Sequence, residues 1–341
     1  MNFEKENDEL DNMDLKKILD SMDAAEVDSL LILKPENITY LAGYRPSSAS
    51  VVIVTDEATL YTTKMDMEDA SMNSKIPLGE FESTDKIKDH LKGRVGIEKS
   101  MPVSLYKKFK DGCELKITEI VESARIIKSP DEIENIGRAI DIAEKSLLDL
   151  EFQGTESEVA AQLEYNMKSN GSTKPAFDTI VASGERSSLP HATISTSKLE
   201  SPLVIDWGAV YNNYCSDLTR TLVKGEKEME IFNIVLEAQQ EAIKVIKPGI
   251  KASYVDKVAR RVIEEYGYGD NFIHSTGHGL GLEVHENPTL SKKGEFKLEK
   301  GMVITVEPGI YIKGQFGVRI EDDVLVGNRA QVLSSIKKSI N

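Results

Sequence analysis

The chain has 341 residues, 40% hydrophobic and 29% charged, enough for two domains with a large core, and carries a formal net charge of −15 at pH 7. That acidic balance argues against non-specific nucleic-acid binding, which draws its affinity from cations on phosphates, and no run of eighteen apolar residues offers a membrane span. The polar, acidic start MNFEKENDELDNMDLKK excludes a secretory signal peptide, and two cysteines, Cys113 and Cys215, are too few for a disulfide framework and suit a reducing cytoplasm.

In chain order, residues 13–25 have the pattern of a first helix. Leu30-Leu31-Ile32-Leu33 is a short buried-strand run. Val51–Val54 and Ala58–Tyr61 flank Asp56-Glu57 as a hairpin, and Val95–Ile97 and Leu115–Ile117 are further strands. Helical stretches between them complete an α/β domain over 1–125. Ser129-Pro130-Asp131-Glu132 then opens a helix: Ser caps, Pro takes the first helical position, and Glu closes a capping box. Ile133, Ile136, Ile140, Ala143 and Leu147 follow at helical spacing. A second box, Thr155 to Glu158, opens the next helix, and strands with an acidic hairpin come after it. The same order recurs: a helix near 228–246 ending at Lys247-Pro248-Gly249, a helix near 253–266 ending at Gly267, strands, and a second acidic hairpin. The spacing predicts an α+β domain over 126–341 with an internal repeat about a pseudo-twofold axis.

Each hairpin carries a pair of acids. Asp206 and Asp217 lie in VIDWGAVYNNYCSDLTRTLV, and their midpoint falls between Tyr211 and Asn212. Asn tolerates positive φ, so Asn212-Asn213 is the expected turn, which makes the two acids near-opposite neighbours, roughly 5 Å apart at Cβ. Glu307 and Glu321 lie in VITVEPGIYIKGQFGVRIEDD, with Gly314 at their midpoint. Acids that close repel each other unless a cation or proton lies between them. His278, between Gly277 and Gly279 in FIHSTGHGLGLEVHENP, has a backbone free to approach an ion or substrate closely. Four carboxylates and one imidazole balance two divalent cations, and such an oxygen-rich set suits Mn²⁺, Co²⁺, Fe²⁺ or Zn²⁺.

The segments DWGAVYNNYCSDLTRT, HSTGHGLGLEVHENP, VEPGIY and GVRIEDD resemble those of the pita-bread metallopeptidases, the family of prolidase, aminopeptidase P and methionine aminopeptidase. The likeness spans about residues 125–330, and the strand-helix alternation before it resembles the creatinase-type N-terminal domain. The resemblance implies an α/β creatinase-like domain followed by an α+β pita-bread domain. It implies two divalent metals, Mn or Co foremost, with Asp217 and Glu321 bridging them. Asp206 would hold one metal, and His278 with Glu307 the other. Glu307 is the implied general base, His285 and His191 would hydrogen-bond substrate or move protons, and His274 would lie near the substrate. Arg319, two residues from Glu321 and so on the same strand face, is the expected partner of the carboxylates; the alternative is a surface Arg paired with Asp322. Tyr214 and Trp207 are read as strand packing.

The implied substrate is a small peptide with an Xaa-Pro bond, which ordinary peptidases handle poorly because proline lacks the amide N–H and fixes φ. The segment HENPTLS and the chain length resemble prolidase. Prolidase-like sequences often carry Arg directly after the HExP motif, where it binds a free proline carboxylate; here Thr289 stands there, with Lys292 and Lys293 as candidate replacements. Longer Xaa-Pro peptides, as taken by aminopeptidase P, are therefore the alternative substrates. A metal-free, partner-binding scaffold is the alternative of another class, and loss of ligands would mark it. The resemblance also implies a homodimer.

Overall fold

Alternating side chains of two adjacent strands feed two separate apolar clusters in the first part of the chain. The strands β1 (Ser29–Ile32) and β2 (Ser50–Val54) pair antiparallel and are buried throughout. Leu30, Ile32, Val52 and Val54 enter one cluster, while Leu31, Val51 and Ile53 enter the other. That division follows from the pleat, which sends successive side chains to opposite faces, and it requires cover on both sides. The computed structural model describes residues 15–339. The cover comes from α1 (15–24), α2 (Pro35–Ala42), α3 (Met67–Asn73), α4 (Thr84–Lys88), α5 (Val103–Lys110) and α6 (Ile120–Ala124). With β3 (Ala58–Thr62), β4 (Leu78–Glu80), β5 (Arg94–Glu98) and β6 (Glu114–Thr118), the sheet order is β4-β3-β2-β1-β5-β6. The β2–β3 hairpin turns about Asp56-Glu57, with Val54 opposite Ala58. Of the expected first helix, residues 13 and 14 lie outside the described residues. Leu33 is not part of β1: its amide leaves the ladder and donates to the Glu98 carboxylate at 2.8 Å.

The described residues divide into two compact units between Arg125 and Ile126. The second opens with α7 (Pro130–Leu148) and α8 (Glu156–Ser169), each started by a formed capping box, at Ser129/Glu132 and Thr155/Glu158. Next come β7 (Ile180–Ser183), β8 (Leu203–Trp207), the short pair β9 (Val210–Tyr211) and β10 (Tyr214–Cys215), and β11 (Leu218–Leu222). The order then repeats with α9 (Glu226–Val245), α10 (Ala252–Glu265), β12 (Gly277–Gly279) and β13 (Glu286–Leu290). The second hairpin is β14 (Val303–Val306), β15 (Gly309–Ile312), β16 (Phe316–Arg319) and β17 (Asp322–Val326), closed off by β18 (Ala330–Val332). Gly267, at φ +85°, follows α10 in a conformation L side chains rarely adopt.

Each helix pair covers its own strands. Ile136, Ile140, Leu147 and Leu163 of α7 and α8 pack with Val181, Ile205 and Trp207. Ile231, Val235, Val255 and Ala259 of α9 and α10 pack with Ile304, Val306, Ile320 and Val324. Trp207 is fully buried, and its indole N–H donates to the Ala143 carbonyl at 2.9 Å, so it is a packing residue. Tyr214 reaches Glu132 at 3.1 Å and braces the same layer. Among the contacts between the two halves is an isolated bridge, Thr219 to Glu321. No helix among the described residues is long and apolar enough to cross a membrane.

Candidate active site

The first hairpin turns on Asn212 and Asn213, at φ 45° and 70°. Both take the left-handed conformation a tight two-residue turn demands. Tyr211 pairs with Tyr214, Trp207 with Leu218, and Asp206 with Thr219. The turn is thus centred one residue later than the midpoint of the two acids. Asp206 faces Thr219, and Asp217 lies one pair further along on the same face. The acids are diagonal neighbours, not opposite ones, which corrects the expectation from spacing. Gly208 is required here: a Cβ on it would lie 1.9 Å from the Ser216 carbonyl oxygen.

The second hairpin keeps its register across the turn at Gly314, with Gly309 opposite Arg319 and Val306 opposite Asp322. The same register sets Glu307 against Glu321. Glu321 is then stitched to the first hairpin. Its amide donates to the Thr219 carbonyl at 3.1 Å, and its carboxylate accepts from Thr219 Oγ1 at 2.6 Å.

His278 comes from β12, squeezed between β13 and β14. A Cβ at Gly277 would lie 2.0 Å from the Thr305 carbonyl oxygen, and one at Gly279 2.2 Å from that of Asn287. The flanking glycines therefore serve strand-to-strand approach, where the sequence suggested approach to an ion. Nδ1 of His278 lies 3.1 Å from the Gly279 carbonyl, so Nδ1 carries the hydrogen and Nε2 keeps its lone pair. Nε2 is 3.3 Å from Glu307 Oε1 and 3.5 Å from Asp217 Oδ2. Burial, helped by His285, depresses the His278 pKa to about 4, which keeps the ring neutral as a metal ligand must be.

Asp217, His278 and Glu321 each bring a potential ligand atom within 4.8 Å of the others, all three buried. Asp206 adds a buried Oδ1 with no hydrogen-bond partner. Burial and the neighbouring charge of Glu321 and Asp206 raise Asp217 well above the usual carboxylate range. Burial together with Glu307 and Asp206 does the same to Glu321. Glu307 is pushed up to about 8 by burial, with Asp206 adding to the shift and Arg319 opposing it. Four buried carboxylates beside one guanidinium are short of positive charge, and divalent cations fit that deficit and this donor set.

Arg319 is buried and donates Nη2 to Asp206 Oδ2 at 2.6 Å, Nε to Thr219 Oγ1 at 3.1 Å, and Nη1 to Tyr311 Oη at 2.7 Å and to the Pro190 carbonyl at 3.2 Å. It is the carboxylate partner expected of it; Asp322 pairs with Arg220 instead, at 2.8 Å. Tyr311 accepts from Arg319 and so gives its own proton to His274 Nε2, 2.9 Å away. His274 Nδ1 then donates to the Ser275 carbonyl at 2.8 Å and stands 3.9 Å from Glu307 Oε2. Burial and Arg319 depress the His274 pKa to about 3, so this ring is neutral with both nitrogens engaged.

His285 packs against His278, ring centroids 4.3 Å apart, with its side chain exposed. His191 sits on an exposed loop, where the carbonyl of neighbouring Pro190 accepts from Arg319. Thr289 is exposed on β13. Lys292 and Lys293 line a pocket of about 540 Å³ together with Phe272, Ile273, His274 and Ser275. Sequence reasoning missed Thr219, Tyr311, Thr305 and Asp323. Thr305 Oγ1 accepts the His278 amide at 3.1 Å and lies 3.4 Å from Glu307 Oε1, and Asp323 accepts the Asp217 amide at 3.1 Å. Thr219 and Thr305 each sit two residues from a site carboxylate, hence on its face, a signal the pattern did contain. Tyr311 offered none.

Residues 131–328 match the model of metallopeptidase family M24, and residues 15–127 that of the creatinase/prolidase N-terminal domain. An Xaa-Pro dipeptidase of Pyrococcus furiosus is 46% identical, over 96% of this chain and 99% of its own. The crystal structure of the prolidase from Pyrococcus horikoshii is 42% identical with a TM-score of 0.91, covering 96% of this chain and 99% of that one. An X-Pro aminopeptidase from Thermotoga maritima is 34% identical with a TM-score of 0.85, covering 92% and 98%. The chain is a pita-bread metallopeptidase of family M24, carrying a creatinase/prolidase-type N-terminal domain.

Proposed function

We propose that this protein is a dinuclear-metal Xaa-Pro dipeptidase. The observation that carries the reading is the buried, charge-deficient cluster of Asp217, His278 and Glu321, flanked by Glu307 and the unpartnered Oδ1 of Asp206. Asp217 and Glu321 would be shared between two ions, Asp206 would complete one and His278 with Glu307 the other; Mn²⁺ or Co²⁺ suits the set best, and Fe²⁺ or Zn²⁺ also fits. Divalent ions held there would supply an activated water and a Lewis acid for the scissile carbonyl. Glu307, whose Oε1 lies 3.3 Å from His278 Nε2, would be the carboxylate that accepts the proton of that water. His285 and His191, both exposed at the site, hydrogen-bond the substrate and pass the proton to the leaving amine. His274 is a neutral wall residue, since Tyr311 and the Ser275 carbonyl occupy its nitrogens. The substrate class follows the names of the Pyrococcus relatives. A homodimer in the cytoplasm completes the reading, since two cysteines are too few for a disulfide framework and suit a reducing compartment.

Thr289 favours a second reading, an aminopeptidase P-like preference for longer Xaa-Pro peptides, because no cation stands at that position to hold a free carboxylate. Charge-assisted hydrogen bonds are worth about 1.5–3 kcal/mol each. The ratio of kcat/KM for Ala-Pro and Ala-Pro-Ala, in wild type and Thr289→Arg, tests both. We expect both peptides to be cleaved, with Thr289→Arg raising the value for the dipeptide more than for the tripeptide. Strict dipeptide selectivity in wild type, unchanged by the substitution, would show that position 289 does not set it. Cleavage of neither peptide would refute the Xaa-Pro reading.

A further inference from the structure

Beyond β18 the chain returns to the junction of the two acidic hairpins. Arg220, fully buried on β11, meets it there. Its Nη1 donates to the carbonyls of Thr219 at 2.8 Å and Glu321 at 2.6 Å. Nη2 donates to Asp322 Oδ1 at 2.8 Å and the Ile336 carbonyl at 3.1 Å, and Nε to the Lys337 carbonyl at 3.0 Å. Those bonds use all five guanidinium N–H groups, two of them on residues 336 and 337. Asp322 also accepts from Gln239 Nε2 at 2.7 Å, from Ser334 Oγ and from Lys338 Nζ. Glu144 of α7 accepts the amides of Ser335 and Ile336, at 2.5 and 2.8 Å.

These groups do not serve the metal as donors: both oxygens of Asp322 are taken by cations and amide or hydroxyl donors. They act on the ligands' backbone. Arg220 Nη1 spans the carbonyls of Thr219 and Glu321, the two residues whose bridge joins the hairpins, and Thr219 Oγ1 in turn holds the Glu321 carboxylate. Thr219, two residues from Asp217, is held against Glu321 at that junction. Without residues 334–338, a buried guanidinium loses two acceptors and Asp322 loses a cation and a hydroxyl, a large penalty for buried charged groups.

We infer that residues 334–338 are a working part of the metal centre, with Arg220 the positioning residue through which they fix Asp217 and Glu321 for metal. The inference rests on the dinuclear reading proposed above. Partners that orient metal ligands are worth about 10–100-fold in metal affinity.

The test is calorimetric titration of the metal-free protein with Mn²⁺ at a temperature well below unfolding. It compares the full chain, a chain lacking 334–341, Lys338→Met and Lys338→Arg. The truncation should weaken Mn²⁺ binding about 10–100-fold. Lys338→Met should weaken it less and in the same direction, and Lys338→Arg should keep it near that of the full chain. Should the truncated chain fail to fold, the Lys338 pair decides, since Lys338 is partly exposed. Unchanged Mn²⁺ affinity with only a lowered melting temperature would overturn the inference and leave the metal reading intact. Absence of Mn²⁺ binding by the full chain would overturn the metal reading, and the inference with it.

Discussion

Glu307 holds the conflict on which the site depends. It is a carboxylate buried among carboxylates, with its pKa raised from the ordinary 4.5 to about 8. Glu307→Gln keeps the shape but can neither accept a proton nor balance a cation. Its kcat for Ala-Pro should fall by about 10²–10⁴ under saturating metal, the usual worth of a general base. A variant retaining more than about a tenth of wild-type kcat would remove Glu307 from that role. The raised pKa also sets a pH dependence. In metal-free protein the folded state binds more protons than the unfolded one between pH 4.5 and about 8, so stability falls as pH rises through that window. Divalent metal removes the repulsion, so the rise in Tm on adding Mn²⁺ should grow from pH 5 to pH 8. Melts with and without metal check this, and a pH-independent rise would contradict it. The donors of the site were legible because acids in apolar strands and a His between glycines stand out in the pattern. Arg220 and Tyr311 were not, because their roles depend on partners that the fold brings together; for Arg220 these include the carbonyls of residues 321, 336 and 337, about a hundred residues away.

At the scale of elements, hairpin symmetry located the acids well where the turn is centred on one glycine, as at Gly314. It erred by one residue where the turn is a two-asparagine pair centred between Asn212 and Asn213. A one-residue error in a turn centre moves a partner by two positions, which is why Asp206 faces Thr219 and not Asp217. Capping boxes fixed the starts of α7 and α8 because their signals are local. The glycines around His278 were visible but their reason was not, since strand order decides what a Cβ would strike. Gly277→Ala would place a methyl 2.0 Å from the Thr305 carbonyl oxygen, with strands on both sides of β12. Forced overpacking of this kind costs about 1–3 kcal/mol or more. Urea denaturation should show that loss together with weaker Mn²⁺ binding, because β12 carries His278. A variant with wild-type stability would mean that β12 has slack this packing does not suggest.

For the whole molecule, the sequence carried the two-part organisation and the repeated helix-helix-hairpin order, since both rest on patterns of period and capping. What it did not carry is how the halves are joined. The Thr219–Glu321 bridge, Arg220 and residues 334–338 form a seam of backbone carbonyls, and carbonyls leave no mark in a sequence. The seam brings an acid of each half to one place and leaves a cluster whose mutual repulsion is relieved by bound protons or by divalent cations. Hydrolysis of Ala-Pro by rigorously metal-free protein, followed through a titration with Mn²⁺, tests that account most directly. The account predicts no turnover without metal and activity that rises to a plateau at two ions per chain. Full Ala-Pro hydrolysis by the metal-free protein, with no further gain on adding Mn²⁺, would contradict it.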